Sequence, residues 1–309
     1  MPWPGYLGLA KETEYGSADA PIHFLPAAVA TPQETPSAAE VAAYGAVGHE
    51  PLDRDISAEV RFSVEGQPDV LGHLLTAVLG PPVTEQVGAG AWRHTFEPRA
   101  GLVSYTVEAS DGSQAQRADG VALSTLTLGL RAGAYLAVSA VGQARRAVPA
   151  ATVTASYAAE NAPMFKTATV LLSGAPLVDV VDTAVTIVAP LQALSAVGRT
   201  GYIGGLVRSG VARAGIGFMV TPQSSAWLAY ARSGTELSYE LRMPGSAIGA
   251  NVASYQITIQ CPRVRVAAAP FAANQRGVPS MTLQATAYPA DGAVRGVKVV
   301  LVNVTEAYG

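Results

Sequence analysis

The chain has 309 residues, enough for one large or two modest domains that each bury a core. Charged residues make up only 14% against 49% hydrophobic, with a formal net charge of −3; gripping nucleic acid needs a clustered basic stripe that displaces counterions, and that class is excluded. A mean hydropathy of +0.25 makes much of the surface weakly polar, the surface of a protein with a partner, and with Cys261 as the only thiol there is no intramolecular disulfide framework.

Met1-Pro2-Trp3 opens without a basic n-region, an apolar core or a small-residue cleavage site, so no secretory signal is expected. No apolar run reaches the roughly 18 residues that a spanning helix needs, and a soluble chain is expected. From Met1 to about Thr35 the sequence is rich in Pro and Gly with few alternating runs, which predicts an extended arm stabilised by lying on something else. Weak alternation follows between Asp53 and Val64, with Ile56, Ala58, Val60 and Phe62 on one face of a strand. Pro68-Asp69 then starts a helix, Val70, Leu71, Leu74, Leu75, Val78 and Leu79 recur at helical spacing, and Gly80-Pro81-Pro82 stops it. One apolar stripe of that length covers one face of a sheet. His73 within it reads as a satisfied surface or half-buried histidine, because no second His or Cys lies at metal-ligand spacing.

Trp92, His94 and Phe96 alternate in one strand and Tyr105, Val107 and Ala109 in another, followed by a turn at Asp111-Gly112. The strongest signal lies between Val121 and Arg146, read as two long strands folded back at Arg131-Ala132-Gly133. Leu126, Leu128 and Leu130 oppose Thr125, Thr127 and Arg131; beyond the turn, Leu136, Val138 and Ala140 oppose Ala137, Ser139 and Val141. The second face is small and hydroxylated, a wall that is wet without being sticky. Strands are predicted at Thr169–Leu172, Val185–Val188, Gly215–Val220, Leu237–Met243, Tyr255–Cys261, Met281–Tyr288 and Val297–Val304, with a short helix over Ser225–Arg232. Helix, strand, turn and long polar-faced strand thus occur twice, which predicts duplication of a unit of roughly 150 residues, joined between Ala155 and Pro163.

Catalytic constellations are missing: there is no G-x-S-x-G elbow, phosphate loop, G-x-G-x-x-G or H-E-x-x-H. Cys261 falls on the apolar face of its strand as an inert buried thiol. Asp179 and Asp182 flank a bend and solvate it; paired carboxylates without a cleft are no active site.

The stretches GYLGLAKETEYGSADAPIHFLP, PDVLGHLLTAVLG, WRHTFEPRAGLVSYTVEASDG and GVALSTLTLGLRAG, with QITIQCPRVRV and the closing VLVNVTEAYG, resemble the tail tube proteins of long-tailed bacteriophages, in the variety whose chain carries two tube domains. The resemblance implies a mainly β chain of two tandem β-barrel or sandwich domains, residues 1–157 with the N-terminal arm and residues 158–309. Each has a short flanking helix, and inner strands join neighbours into one barrel around a lumen. It further implies trimeric, pseudo-hexameric rings stacked into a tube through which double-stranded DNA passes. Tape measure protein would share the lumen, and tail terminator and baseplate proteins would meet the ends. Assembly would take place in the host cytoplasm and the product would sit in the virion tail, with no enzyme activity, cofactor, metal or membrane. Thr125, Thr127, Arg131, Ser139, Gln256, Thr258, Gln260, Thr282, Gln284 and Thr286 are the candidates to face the lumen, and Trp3, Tyr6, Tyr15 and His23 those for ring stacking. An outer-membrane barrel is not expected, for want of aromatic girdles and an export signal. Another tail part (terminator, baseplate hub or distal tail component) and a carbohydrate-binding β-domain stay open as alternatives.

Overall fold

The computed structural model describes residues 5–26, 29–35, 38–42, 49–53, 57–157, 164–177, 180–194, 203–221, 226–249, 253–268, 271–273, 279–289 and 296–308. Up to residue 150 the elements are β1 (Tyr6–Lys11), β2 (His23–Pro26), β3 (Val29–Thr35), β4 (Ala38–Ala42), β5 (His49–Asp53), β6 (Ser57–Glu65), α1 (Pro68–Leu79), β7 (Val83–Gly88), β8 (Ala91–Phe96), β9 (Tyr105–Ser110), β10 (Ala115–Arg131), β11 (Ala137–Ala144) and β12 (Arg146–Ala150). Then follow β13 (Thr169–Leu172), β14 (Ala175–Leu177), β15 (Val180–Val188), β16 (Leu191–Leu194), β17 (Gly205–Arg208), β18 (Arg213–Val220), α2 (Ala226–Ser233), β19 (Glu236–Ile248), β20 (Ala253–Ala268), β21 (Phe271–Ala273), β22 (Pro279–Tyr288) and β23 (Lys298–Asn303). The chain is mainly β, and every strand pairing among the described residues is antiparallel.

Nineteen strands share one barrel-like hydrogen-bonded network, while β4–β5 and β16–β17 are separate hairpins. The individual registers trace branches from β10 and β20 rather than one ring. One path through both branch points runs β3-β6-β11-β10-β15-β18-β22-β20. Eight pairings before β13 recur after it, while β7–β8 and β21–β22 have no counterpart. β1–β2, β1–β9, β3–β6, β4–β5, β6–β11, β9–β10, β10–β11 and β10–β12 correspond in order to β13–β14, β13–β19, β15–β18, β16–β17, β18–β22, β19–β20, β20–β22 and β20–β23. A helix follows the second strand of the longer sheet in both sets, α1 after β6 and α2 after β18. Two ladders cross between the sets: β10 with β15, and β8 with β23.

The alternation from Thr125 to Arg131 is present as read, with Leu126, Leu128 and Leu130 buried on one face. The same face of β11 buries Val138 and Ala140, and that of β15 buries Val185 and Ile187. One continuous hydrophobic core collects residues from both sides of the junction, from Leu7 to Tyr308; the junction residues 158–163 lie outside the described residues, as do Trp3, Ile56, Asp179 and Ser225.

Three expectations are corrected. The segment read as an arm is integral: β1 sits between β2 and β9 and buries Leu7 and Leu9, because short strands covered on both faces show no polar-apolar alternation to read. α1 carries no single stripe; eleven of its twelve residues are buried, since apart from Asp69 it offers no charge to solvent. It ends at Gly80, whose φ of 99° suits only glycine, and its Gly72 lies so close to the Tyr308 ring that an added Cβ would stand 1.9 Å from Cζ. Asp182 flanks no bend: it lies within β15, opposite Arg131 of β10.

Candidate functional site: an uncharged sheet face

From β6 to β20 this path presents its core face inward and leaves the side chains of the other face half-exposed or exposed. Across seven strands the register aligns Ser63, Ser139, Thr127, Thr186, Gly215, Thr286 and Arg265 in one row. The adjacent row is Glu65, Ala137, Gly129, Ala184, Gly217 and Gln284. Charge sits only at the ends of these rows. Between the ends the side chains are hydroxyls, methyls and hydrogens, and the Gln284 amide closes the second row; these can hydrogen-bond water but offer nothing for a multivalent ligand to hold. A Cβ added at Gly215 or Gly217 would meet no atom within 4 Å, so none of the described residues covers the face at these two positions. Thr127 and Thr186 share a hydrogen bond of 3.1 Å between their hydroxyls, the cross-strand pairing expected of facing threonines. The flanking rows carry the charge: Arg131 faces Asp182 on one side, and Arg61 and Arg213 end the row through Val141, Thr125 and Val188 on the other.

This face brings together seven of the ten lumen candidates: Thr125, Thr127, Arg131, Ser139, Thr282, Gln284 and Thr286. Gln256, Thr258 and Gln260 lie further along β20, beyond a register irregularity, in the branch where β20 pairs with β19 and β23. Thr258 is 7% exposed there and accepts a hydrogen bond from the Gln256 amide at 3.1 Å. Ser63, Thr186, Gly215 and Gly217 were not singled out from sequence. Their strands alternate with small residues on both sides of short apolar runs, so the cross-strand row is the only signal.

Three of the four stacking candidates make their contacts inside the subunit. Tyr6 is 4% exposed and its hydroxyl donates to Glu108 Oε1 at 2.5 Å while accepting the N–H of Val153 at 3.0 Å. Burial, with the Glu108 hydrogen bond second, raises its pKa. Tyr15 is half-buried against Gly120, and burial followed by the Glu12 charge pushes its phenol up to about 12. His23 packs on His73 with ring centroids 4.0 Å apart, and burial lowers the pKa of both, His73 to about 3. Trp3 lies outside the described residues.

The described residues hold no metal-ligand cluster. No group of three or more His, Cys, Asp or Glu residues is placed to hold a metal ion, and Cys261 is fully buried, its thiol pushed up to about 12 by desolvation. No described helix is long and apolar enough to cross a membrane. No curated protein matches the chain. The family model for phage tail tube proteins matches residues 5–296, nearly the whole sequence, and the chain belongs to that family.

Proposed function

We propose that this structural tail protein polymerises as stacked rings into the tail tube that conducts double-stranded DNA at ejection, with the uncharged sheet face turned to the lumen. The observation that carries this is the pair of adjacent rows, from Ser63 to Thr286 and from Ala137 to Gln284, half-exposed or exposed in the subunit and free of charge between their ends. Phosphates sliding past such a wall exchange no counterions for protein cations, so passage is nearly frictionless. Tape measure protein occupies the same lumen before ejection, and terminator and baseplate proteins close the ends.

Residues 1–157 and 158–309 are two tube domains in tandem, and three chains make a pseudo-hexameric ring. The eight corresponding strand pairings support this reading, as does the β10–β15 ladder that lays the second set of strands beside the first in one sheet. A closed ring of such chains needs one joint within the chain and one between chains. Electron microscopy of purified protein tests it. Long hollow filaments with three equivalent units end-on are expected. Isolated rings or monomers under every condition would point to a terminator or hub, and six units with peripheral knobs would refute the trimer.

A further inference from the structure

The repeated topology exposes a difference in how matching strands of the two sets are covered. β1 and β9 are buried on both faces, whereas their counterparts β13 and β19 alternate buried and exposed residues. The cover over the first pair is the connection from β1 to β2, residues 12–22. The Glu12 carboxylate accepts the N–H of Gly120 at 2.7 Å and the hydroxyl of Thr106 at 3.0 Å, and Thr106 Oγ1 accepts the N–H of Asp19 at 3.1 Å. The corresponding connection, from β13 to β14, is only Ser173-Gly174, both at positive φ (49° and 80°), a tight two-residue hairpin turn with no chain to spare.

This face forms the floor of a groove of about 930 Å³ that residues 97–100 also line. Across its floor the register aligns Leu171, Glu240, Gln260 and Lys298, an apolar end followed by alternating hydrogen-bonding and charged groups. Ser238, also on the wall, takes the place of Thr106: each lies at the register irregularity of its hairpin, Thr106 between the pairs Tyr105–Val121 and Val107–Ala118 and Ser238 between the pairs Leu237–Val264 and Tyr239–Cys261. The hydroxyl that anchors the cover in the first set therefore has an exposed counterpart in the second.

We propose that this groove receives an extended segment of a second copy of the chain, which does for β13, β19 and β20 what residues 12–22 do for β1, β9 and β10. The inference rests on the tube reading, which supplies the second copy at high local concentration. A polypeptide with backbone N–H groups and a carboxylate suits the floor, since that is what the matching face already binds, with Lys298 available to a carboxylate where Gly120 serves in the first set. The groove then buries on assembly, which keeps the dispersed subunit soluble and commits the surface only in the tube.

Ser238→Cys gives the test, because the native thiol at Cys261 is buried and leaves the unmodified chain as an unlabelled blank. A maleimide should label the new thiol readily in dispersed subunits and at least an order of magnitude more slowly in filaments, as for a group sealed in a packed interface. Equal labelling in both states overturns the proposal, whether the groove stays empty or awaits another tail component. Ser238→Trp should leave a folded, soluble subunit that fails to elongate, and normal filaments from it would likewise overturn the proposal. If the unmodified protein forms no filaments at all, the tube reading fails instead, an outcome separate from either labelling result.

Discussion

At the scale of single residues, the buried charges carry the clearest consequences. Glu108 has no exposed surface and is held by Arg117 through Nε at 2.9 Å and Nη2 at 2.7 Å, with the Tyr6 hydroxyl as a third donor. Arg117→Ala strands that carboxylate, and an unpaired buried charge costs roughly 3–5 kcal/mol, measurable as a lower midpoint in urea. His73 gives a pH dependence. Burial first, then the charges of His23 and Lys11, hold its pKa at about 3, and its ring also meets Tyr105 and Tyr308. An unfolded histidine titrates near 6.5, so below that pH the unfolded state binds a proton that the folded state refuses. Stability falls as pH drops from about 6.5 toward 3, by roughly 3 kcal/mol at pH 4 from this residue. His73→Gln should flatten that decline between pH 7 and pH 4; an unchanged slope would assign it to His23 and His94, whose pKa values are also lowered by burial. None of these partnerships was legible in the sequence, because Tyr6 and Glu108 meet across a separation of 102 positions and nothing local marks them as a pair.

Among the elements, legibility followed periodicity. β10, β11, β19 and β22 alternate with one face dry and one wet, so Leu126 to Leu130 and Met281 to Ala287 announced themselves. α1 was readable from Pro68 at its start and Gly80 at its end, though not its burial on all sides, which depends on the tail bringing Tyr308 onto Gly72. β1 was missed because Gly8 and Ala10 are as buried as Leu7 and Leu9, leaving no period to detect. A truncation lacking residues 1–20 accordingly removes a strand paired on both edges and strips the cover from Thr106 and Glu108. We expect insoluble or molten protein rather than a folded subunit that merely fails to elongate; a cooperative unfolding transition in circular dichroism from that truncation would contradict the placement of β1. A different device secures the β16–β17 hairpin. Arg208 donates to the carbonyls of Leu123, Ala189 and Ala77, the last in the final turn of α1, where a cation meets the negative end of the helix dipole.

For the whole molecule, the uncharged face and the β20 branch separate what the alternation alone had grouped. Thr127 is half-exposed in the middle of the uncharged row, whereas Thr258 is buried between Arg242 and Val300. Thr127→Arg should therefore give soluble subunits and tubes that release DNA more slowly, since each ring gains cations for phosphates to exchange with. Thr258→Arg should lower soluble yield and melting temperature, by placing a second guanidinium beside Arg242 in a site without room. Unchanged release through Thr127→Arg tubes would take that face away from the lumen. The seven paired residues of the β10–β15 ladder, Thr125–Arg131 against Val188–Asp182, have a further consequence, because both edges belong to one polypeptide. Forming that seam is a first-order event that dilution leaves untouched, whereas every seam between chains obeys mass action. In the proposed ring of three chains alternate seams would be exempt from concentration, the threshold for assembly would be set by the remaining half, and a tube losing subunits at its tip would shed them two proposed domains at a time.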